Sequence, residues 1–144
     1  MDILTAMQIS GSALKAERGR LNVAAMNLAN ANTTRTMEGG PYRAKSVVFE
    51  ARPLDRDFNT VLEGAASRLR KVEVVEVVED RAPFREVYDP SHPDADANGI
   101  VRYPNVNVAE QMVDMMNARR SYEANVAALD AVKEMALRAL EISR

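Results

Sequence analysis

Residues Asn27 to Thr36, NLANANTTRT, close an Ala-rich amphipathic run with three asparagines, three threonines and an arginine. Both amide and hydroxyl side chains compete for nearby backbone groups and serve helix interiors poorly, so this cluster marks a helix end with specific hydrogen-bonding work to do. Upstream, no proline occurs between Ile3 and Ala31, and Met7, Leu14, Leu21 and Leu28 recur every seven residues. That spacing predicts a helix with a coiled-coil-like seam. Thr5, Ile9, Ser12, Ala13, Ala16, Val23, Met26, Asn27 and Asn30 lie opposite the seam and carry no charge. A helix nearly uncharged all round is normally covered all round. On this register Asn27 and Asn30 face outward and Asn32 inward.

Toward the other end, Val108 to Ile142 contains neither proline nor glycine. Val108, Met115, Tyr122, Leu129 and Ala136 recur every seven residues, with Met112, Ala118, Val126, Val132 and Leu140 in the intermediate positions. A second long helix follows, with Asn107 as its N-cap and Glu110 in the capping-box position. Val113, Met116 and Leu137 fall outside the seam. Two helices of this composition, paired only with each other, leave apolar stripes in water.

Between them, Gly39-Gly40-Pro41 breaks the chain, and Tyr42–Glu50, Lys71–Glu79 and Gly99–Tyr103 read as short strands. The polar stretch Arg52–Arg70 reads as a loop. The chain thus divides into 1–36, a helix with its Asn/Thr-rich end; 37–104, a middle segment of short strands and loops; and 105–144, the second helix. The expected fold is mainly α, with two long terminal helices pairing as an α-helical coiled coil around a small β-containing middle.

Composition excludes several function classes. A formal charge of −2 provides no basic footprint for nucleic acid. No cysteine is present, which removes thiol and disulfide chemistry. The start, Met1-Asp2-Ile3-Leu4, has an acid where a secretory signal carries basic residues, and no apolar run approaches the roughly 18 to 20 residues of a membrane span. If the protein leaves the cytoplasm, no ordinary cleaved signal takes it, and membrane insertion is not expected.

Asp94-Ala95-Asp96-Ala97-Asn98-Gly99 matches the first half of a calcium loop, but position twelve is Asn105 and no helix leads in. A backbone turn explains the same residues better. His92 sits between prolines without a second ligand in reach of the pattern, and Glu73, Glu76 and Glu79 have the spacing of solvated strand charges. No catalytic, cofactor-binding or metal-binding residue is expected. The methionines Met112, Met115 and Met116 fall on helical spacing and read as packing.

NLANANTTRT, with Tyr103-Pro104-Asn105-Val106-Asn107 and Ser121-Tyr122-Glu123-Ala124-Asn125-Val126 around the second helix, resembles the bacterial flagellar axial family of rod and hook proteins. GGPYRAKSVVFEA at 39–51 and VYDPSHPDADANGIVRYPNVNVAEQM at 87–112 are similar to its proximal-rod branch. The likeness covers nearly the whole chain and is weakest over 52–70. It implies a structural subunit of the basal-body rod, the periplasm-crossing drive shaft that carries motor torque, exported by the flagellar apparatus without a cleaved signal. The implied partners are copies of itself, other proximal and distal rod proteins, the rod-base adaptor to the export gate and, in transit, the export apparatus. Helix-pair seam positions are Met7, Leu14, Leu21 and Leu28 with Val108, Met112, Met115, Tyr122, Val126, Leu129 and Leu140. Asn27, Asn30 and Asn32 would fix register between subunits, and Asn125 within the pair, because a covered amide must find its own donor and acceptor. The competing reading is a cytoplasmic coiled-coil adaptor or chaperone that holds a partner helix. An enzyme using a metal at Asp94 to Asn98 is a more remote third.

Overall fold

The computed structural model describes residues 3–54 and 69–142. Helix α1 runs Ile3–Ala29, strands β1 (Lys45–Pro53), β2 (Arg70–Glu79), β3 (Arg85–Tyr88) and β4 (Ile100–Tyr103) follow, and helix α2 runs Val108–Ile142. Most of the loop expected at 52–70 lies outside the described residues. The expected strands appear within a few residues of their predicted bounds, and β3 is an addition.

Two antiparallel ribbons form, β1 with β2 and β3 with β4. In the second, Val87 pairs with Val101 and Tyr88 with Ile100. Glu86 meets Arg102 at 3.3 Å, and the Arg85 guanidinium lies 5.1 Å from the Tyr103 ring centre. The β3 stretch was hard to recognise because all four of its residues are exposed, so it has no buried face to impose a hydrophobic alternation.

The chain gathers into two compact units, each drawn from all three sequence segments. One comprises Met1–Gly19, Val48–Glu76 and Ala118–Arg144; the other comprises Arg20–Val47 and Val77–Asn117. In the first, Ser12 Oγ donates to Ile9 O at 2.7 Å and accepts from Val72 N–H at 3.1 Å, while Gly19 lies close to the Val74 side chain. In the second, Val23, Ala24, Asn27, Ala31, Ala44 and Val101 are buried. Arg20 pairs with Asp114 at 3.0 Å and Asn27 with Gln111 at 2.9 Å, so chain numbers rise in one helix as they fall in the other.

This arrangement corrects the reading of α1. Thr5, Ala16, Val23 and Asn27, placed on the outward face by the heptad register, are its most buried residues together with Ala24. Leu14, Leu21 and Leu28 on the expected seam are only half-buried. Small side chains let a strand backbone approach closely, as the Ser12–Val72 bond records, whereas leucines hold neighbours away. Hydrophobic periodicity ranks faces by apolarity and is blind to this steric preference.

Helix α2 starts as expected. Asn107 Oδ1 accepts Ala109 N–H at 3.1 Å and Glu110 N–H at 3.4 Å, and Asn107 O accepts Gln111 N–H at 3.0 Å. Two otherwise unpartnered first-turn donors are thereby satisfied. We expect Asn107→Ala to lower unfolding free energy by about 1 kcal/mol. Urea titration followed by helicity checks this, and an unmoved midpoint would refute the capping role.

Candidate functional site around Asn27 and along the second helix

Asn27 is 1% exposed. Its Nδ2 donates to Lys45 O at 2.7 Å and to Gln111 Oε1 at 2.9 Å. Its Oδ1 accepts from Lys45 N–H at 2.9 Å and from Tyr42 Oη at 2.9 Å. Both donors and both acceptor lone pairs of the amide are thus used, the most an asparagine side chain can do. Toward Lys45 it presents N–H and C=O side by side, as a neighbouring strand would. The helix end, the first residue of β1 and the first turn of α2 are therefore joined through one side chain.

A second asparagine extends the clamp. Asn105 Oδ1 accepts Ala44 N–H at 2.8 Å, and its Nδ2 lies 3.3 Å from Asp80 O and 3.2 Å from Ala82 O. Arg43 reaches the same two carbonyls at 2.8 and 3.3 Å while its guanidinium stacks 4.3 Å over Phe84. Burial, with Glu79 nearby as a lesser cause, holds the Tyr42 hydroxyl above its ordinary pKa, so it stays a donor to Asn27 at neutral pH.

Asn27 therefore does not face outward, and its four hydrogen bonds go to Tyr42, Lys45 and Gln111 of this chain. Asn30 Nδ2 donates back to Met26 O at 2.9 Å and its Oδ1 accepts from Thr33 Oγ1 at 3.2 Å, closing the helix end locally. Asn32 is exposed. Asn125 Nδ2 donates to Ser121 O of its own helix at 2.9 Å.

The loop joining β3 to β4 explains the calcium-like motif. Asp96 Oδ1 accepts Asn98 N–H at 2.8 Å and Ile100 N–H at 3.0 Å, and Asp94 Oδ2 accepts from Thr34 Oγ1 at 2.7 Å. His92 Nδ1 accepts Asp94 N–H at 3.1 Å, and its ring stands edge-on to Tyr103. Asp96 thus organises its own backbone and Asp94 ties the loop to Thr34, and the described residues contain no group of three or more potential metal ligands. Glu73 and Glu79 pair with Arg52 and Lys45 at 3.4 and 3.7 Å along the strands.

Outside this closed network the described residues expose many large apolar side chains. Among the described residues the buried hydrophobic side chains are Ala16, Val23, Ala24, Ala31, Ala44, Val101 and Ala118, with no leucine, isoleucine, methionine or phenylalanine in that set. Helix α2 alone exposes Val108, Met112, Val113, Met116, Val126, Met135, Leu137 and Leu140. Its better-covered positions are Gln111, Asp114, Met115, Ala118, Ser121, Tyr122, Asn125, Leu129, Val132 and Ala136, spaced so that they share one helix face. Of the expected seam, Met7, Leu14, Leu21, Leu28, Met115, Tyr122 and Leu129 are partly covered, whereas Val108, Met112, Val126 and Leu140 are exposed.

The family described as "Flagella basal body rod protein" matches residues 7–35, and the one described as "Flagellar basal body rod FlgEFG protein C-terminal" matches residues 97–142. The flagellar basal-body rod protein FlgC of Escherichia coli O6:H1 is 46% identical over 144 residues, covering all of both chains. Its counterpart from Bacillus subtilis is 40% identical over 150 residues, again covering both in full. That of Borreliella burgdorferi is 36% identical over 156 residues, with 99% of this chain and 98% of the relative aligned. This chain belongs to the FlgC family of flagellar basal-body rod proteins. Its role is that of a structural subunit of the basal-body rod, not an enzyme. The two matched regions include Asn27, Asn105, Gln111 and the whole of α2, while Tyr42 and Lys45 lie between them.

Tyr42, Lys45, Asn105 and Gln111 complete the clamp, and none was singled out as a site residue by sequence reasoning. The available signal was polar: Gln111 and Asn125 interrupt a heptad stripe that otherwise carries small or apolar residues.

Two outcomes follow from this geometry. Asn27→Leu leaves Lys45 N–H and C=O without their amide partner and should cost about 3 kcal/mol or more of unfolding free energy. A loss below about 1 kcal/mol, the worth of a single ordinary hydrogen bond, would contradict the clamp. Asp96 is held below its ordinary pKa by the Ile100 and then the Asn98 N–H, and Asp89 by the Ser91 hydroxyl and then the Ser91 N–H. A lowered carboxylate contributes stability above its unfolded pKa, and that contribution fades as pH falls through the folded value. Amide exchange in residues 89–100, corrected for its intrinsic pH dependence, should therefore lose protection below about pH 4 and not above it.

Proposed function

We propose that this rod subunit builds the proximal part of the rod by stacking through α1 and α2, in contacts that pass from copy to copy without closing. Heterologous contacts of this kind generate helical filaments. The supporting observation is the mismatch between an interior of alanine, valine and one saturated asparagine and a long helix with eight large apolar side chains in water. Neighbouring subunits would cover that helix. In this reading the two helices pair in coiled-coil fashion, and Val108, Met112, Val126 and Leu140 complete the seam on assembly. The three-part division into helix, middle segment and helix then separates tube-forming from neighbour-contacting regions.

The proposed register between subunits rests on Asn32, which is exposed just past the end of α1, and on Asn30 beside it, with Asn125 setting register within the helix pair. Asn27 acts inside the subunit and sets the frame from which those positions project. The proposed partners are further copies of this chain, other proximal and distal rod proteins, the adaptor at the rod base and the export apparatus in transit. The proposed place is the periplasmic stretch of the basal body, reached without a cleaved signal, where a rod transmits torque. A cytoplasmic coiled-coil adaptor is not favoured, since the kinship runs the whole length of rod proteins.

Met116→Glu and Leu137→Glu place charge on exposed positions of α2. Each should leave the helical content and unfolding midpoint of the isolated chain nearly unchanged, because exposed sites tolerate substitution within about 0.5 kcal/mol. Both should abolish swimming and leave the protein absent from isolated basal bodies. Normal motility in both variants would overturn assembly through this face.

A further inference from the structure

Asn98-Gly99 is the single Asn-Gly step in the sequence. Glycine has no Cβ to obstruct the approach of its own nitrogen to the preceding side chain. We propose that Asn98 is a self-modification site, kept silent by the folded loop between β3 and β4 and released when that loop opens. In the reaction the deprotonated Gly99 amide nitrogen attacks Asn98 Cγ, the Cγ–Nδ2 bond breaks, and ammonia leaves with a proton. Water then opens the resulting succinimide at either carbonyl, giving aspartate or isoaspartate at 98. No oxidant or reductant takes part.

The loop blocks the first step in three ways. Gly99 N–H, the nucleophile's own proton, is engaged by Asp96 O at 2.9 Å in a turn spanning Asp96 to Gly99. Asp96 Oδ1 anchors the main chain on both sides of the pair, at Asn98 N–H and Ile100 N–H. Gly99 itself is buried with φ +76, and a Cβ there would lie 3.0 Å from Tyr88 Cε2 and 3.1 Å from Pro90 Cβ. The nitrogen is thus held in place under Tyr88 and Pro90. Asn98 is exposed, so water is at hand once the ring forms.

The product has a structural consequence. Isoaspartate adds a methylene to the main chain immediately before a buried glycine packed against Tyr88 and Pro90, and three residues ahead of Val101, which is 0% exposed. A chain modified this way would be unable to rebuild the turn and the Val87–Val101 pair. Conversion therefore marks chains that have remained open and prevents them from closing. The inference rests on the loop alone and stands apart from the assembly reading.

The full-length chain, incubated at mildly alkaline pH across a urea series and sampled by peptide mass spectrometry, tests it. Conversion at 98 should accelerate by about tenfold or more through the unfolding transition, the effect of releasing even one charge-assisted hydrogen bond. Asp96→Ala should convert faster than the parent without urea; should that variant fail to fold, the urea series on the parent chain decides alone. Asn98→Asp adds the charge without the methylene and should refold normally, while chains carrying isoaspartate at 98 should not. Equal rates in folded and unfolded chains, no conversion in the unfolded chain, or normal refolding of the isoaspartate form would each overturn the proposal.

Discussion

The fold depends on one side-chain amide with no unused hydrogen-bonding capacity. Asn27 joins the last turn of α1 to both backbone groups of Lys45, to Tyr42 and to Gln111 on α2, at 1% exposure. A buried amide is costly when any of its groups lacks a partner, and fully partnered it tolerates only one geometry. The surrounding interior is too small to impose that geometry by packing, since its apolar members are alanines and valines. Polar complementarity supplies the uniqueness that a larger core would otherwise provide. Asn105 repeats the device a short distance away by holding Ala44 N–H and two carbonyls.

Helix α2 shows the opposite economy. Its first turn is capped by Asn107, and its first two turns are tied to α1 through Gln111 and Asp114. Further along, ion pairs between Arg119 and Glu123 and between Glu134 and Arg138 support the helix locally, while Met135, Leu137 and Leu140 stay in water. Surface ion pairs of this spacing contribute only about 0.3 to 0.5 kcal/mol each. They sustain the helix without covering its apolar side chains. In a rod subunit the two features are complementary, a fixed internal frame and an exterior completed by others.

Both long helices were legible from seven-residue periodicity, and the α2 cap from Asn107 followed by Glu110. The β ribbons were legible from β-branched runs, except Arg85–Tyr88, whose exposed residues give no alternation. Which face of α1 is covered was not legible. Thr5, Ser12, Ala16 and Asn27 look like a surface for other subunits until the strands laid against them are known, as at Ser12–Val72 and Asn27–Lys45. Asn27 announced itself as unusual, but its partners lie 15, 18 and 84 positions away, a relation that one sequence does not display. The acidic turn at 94–99 was readable as a turn because Asp96 serves its own backbone.

Hydrogen–deuterium exchange on the isolated full-length chain and on intact basal bodies is the most direct test of the central claim that α2 is completed by neighbouring subunits. The account requires Ala44, Lys45 and Val101 to be protected in both samples, and residues 117–142 to exchange readily in the isolated chain and slowly in the rod. Equal protection of residues 117–142 in the two samples would mean that this helix needs no neighbour, and would contradict the account.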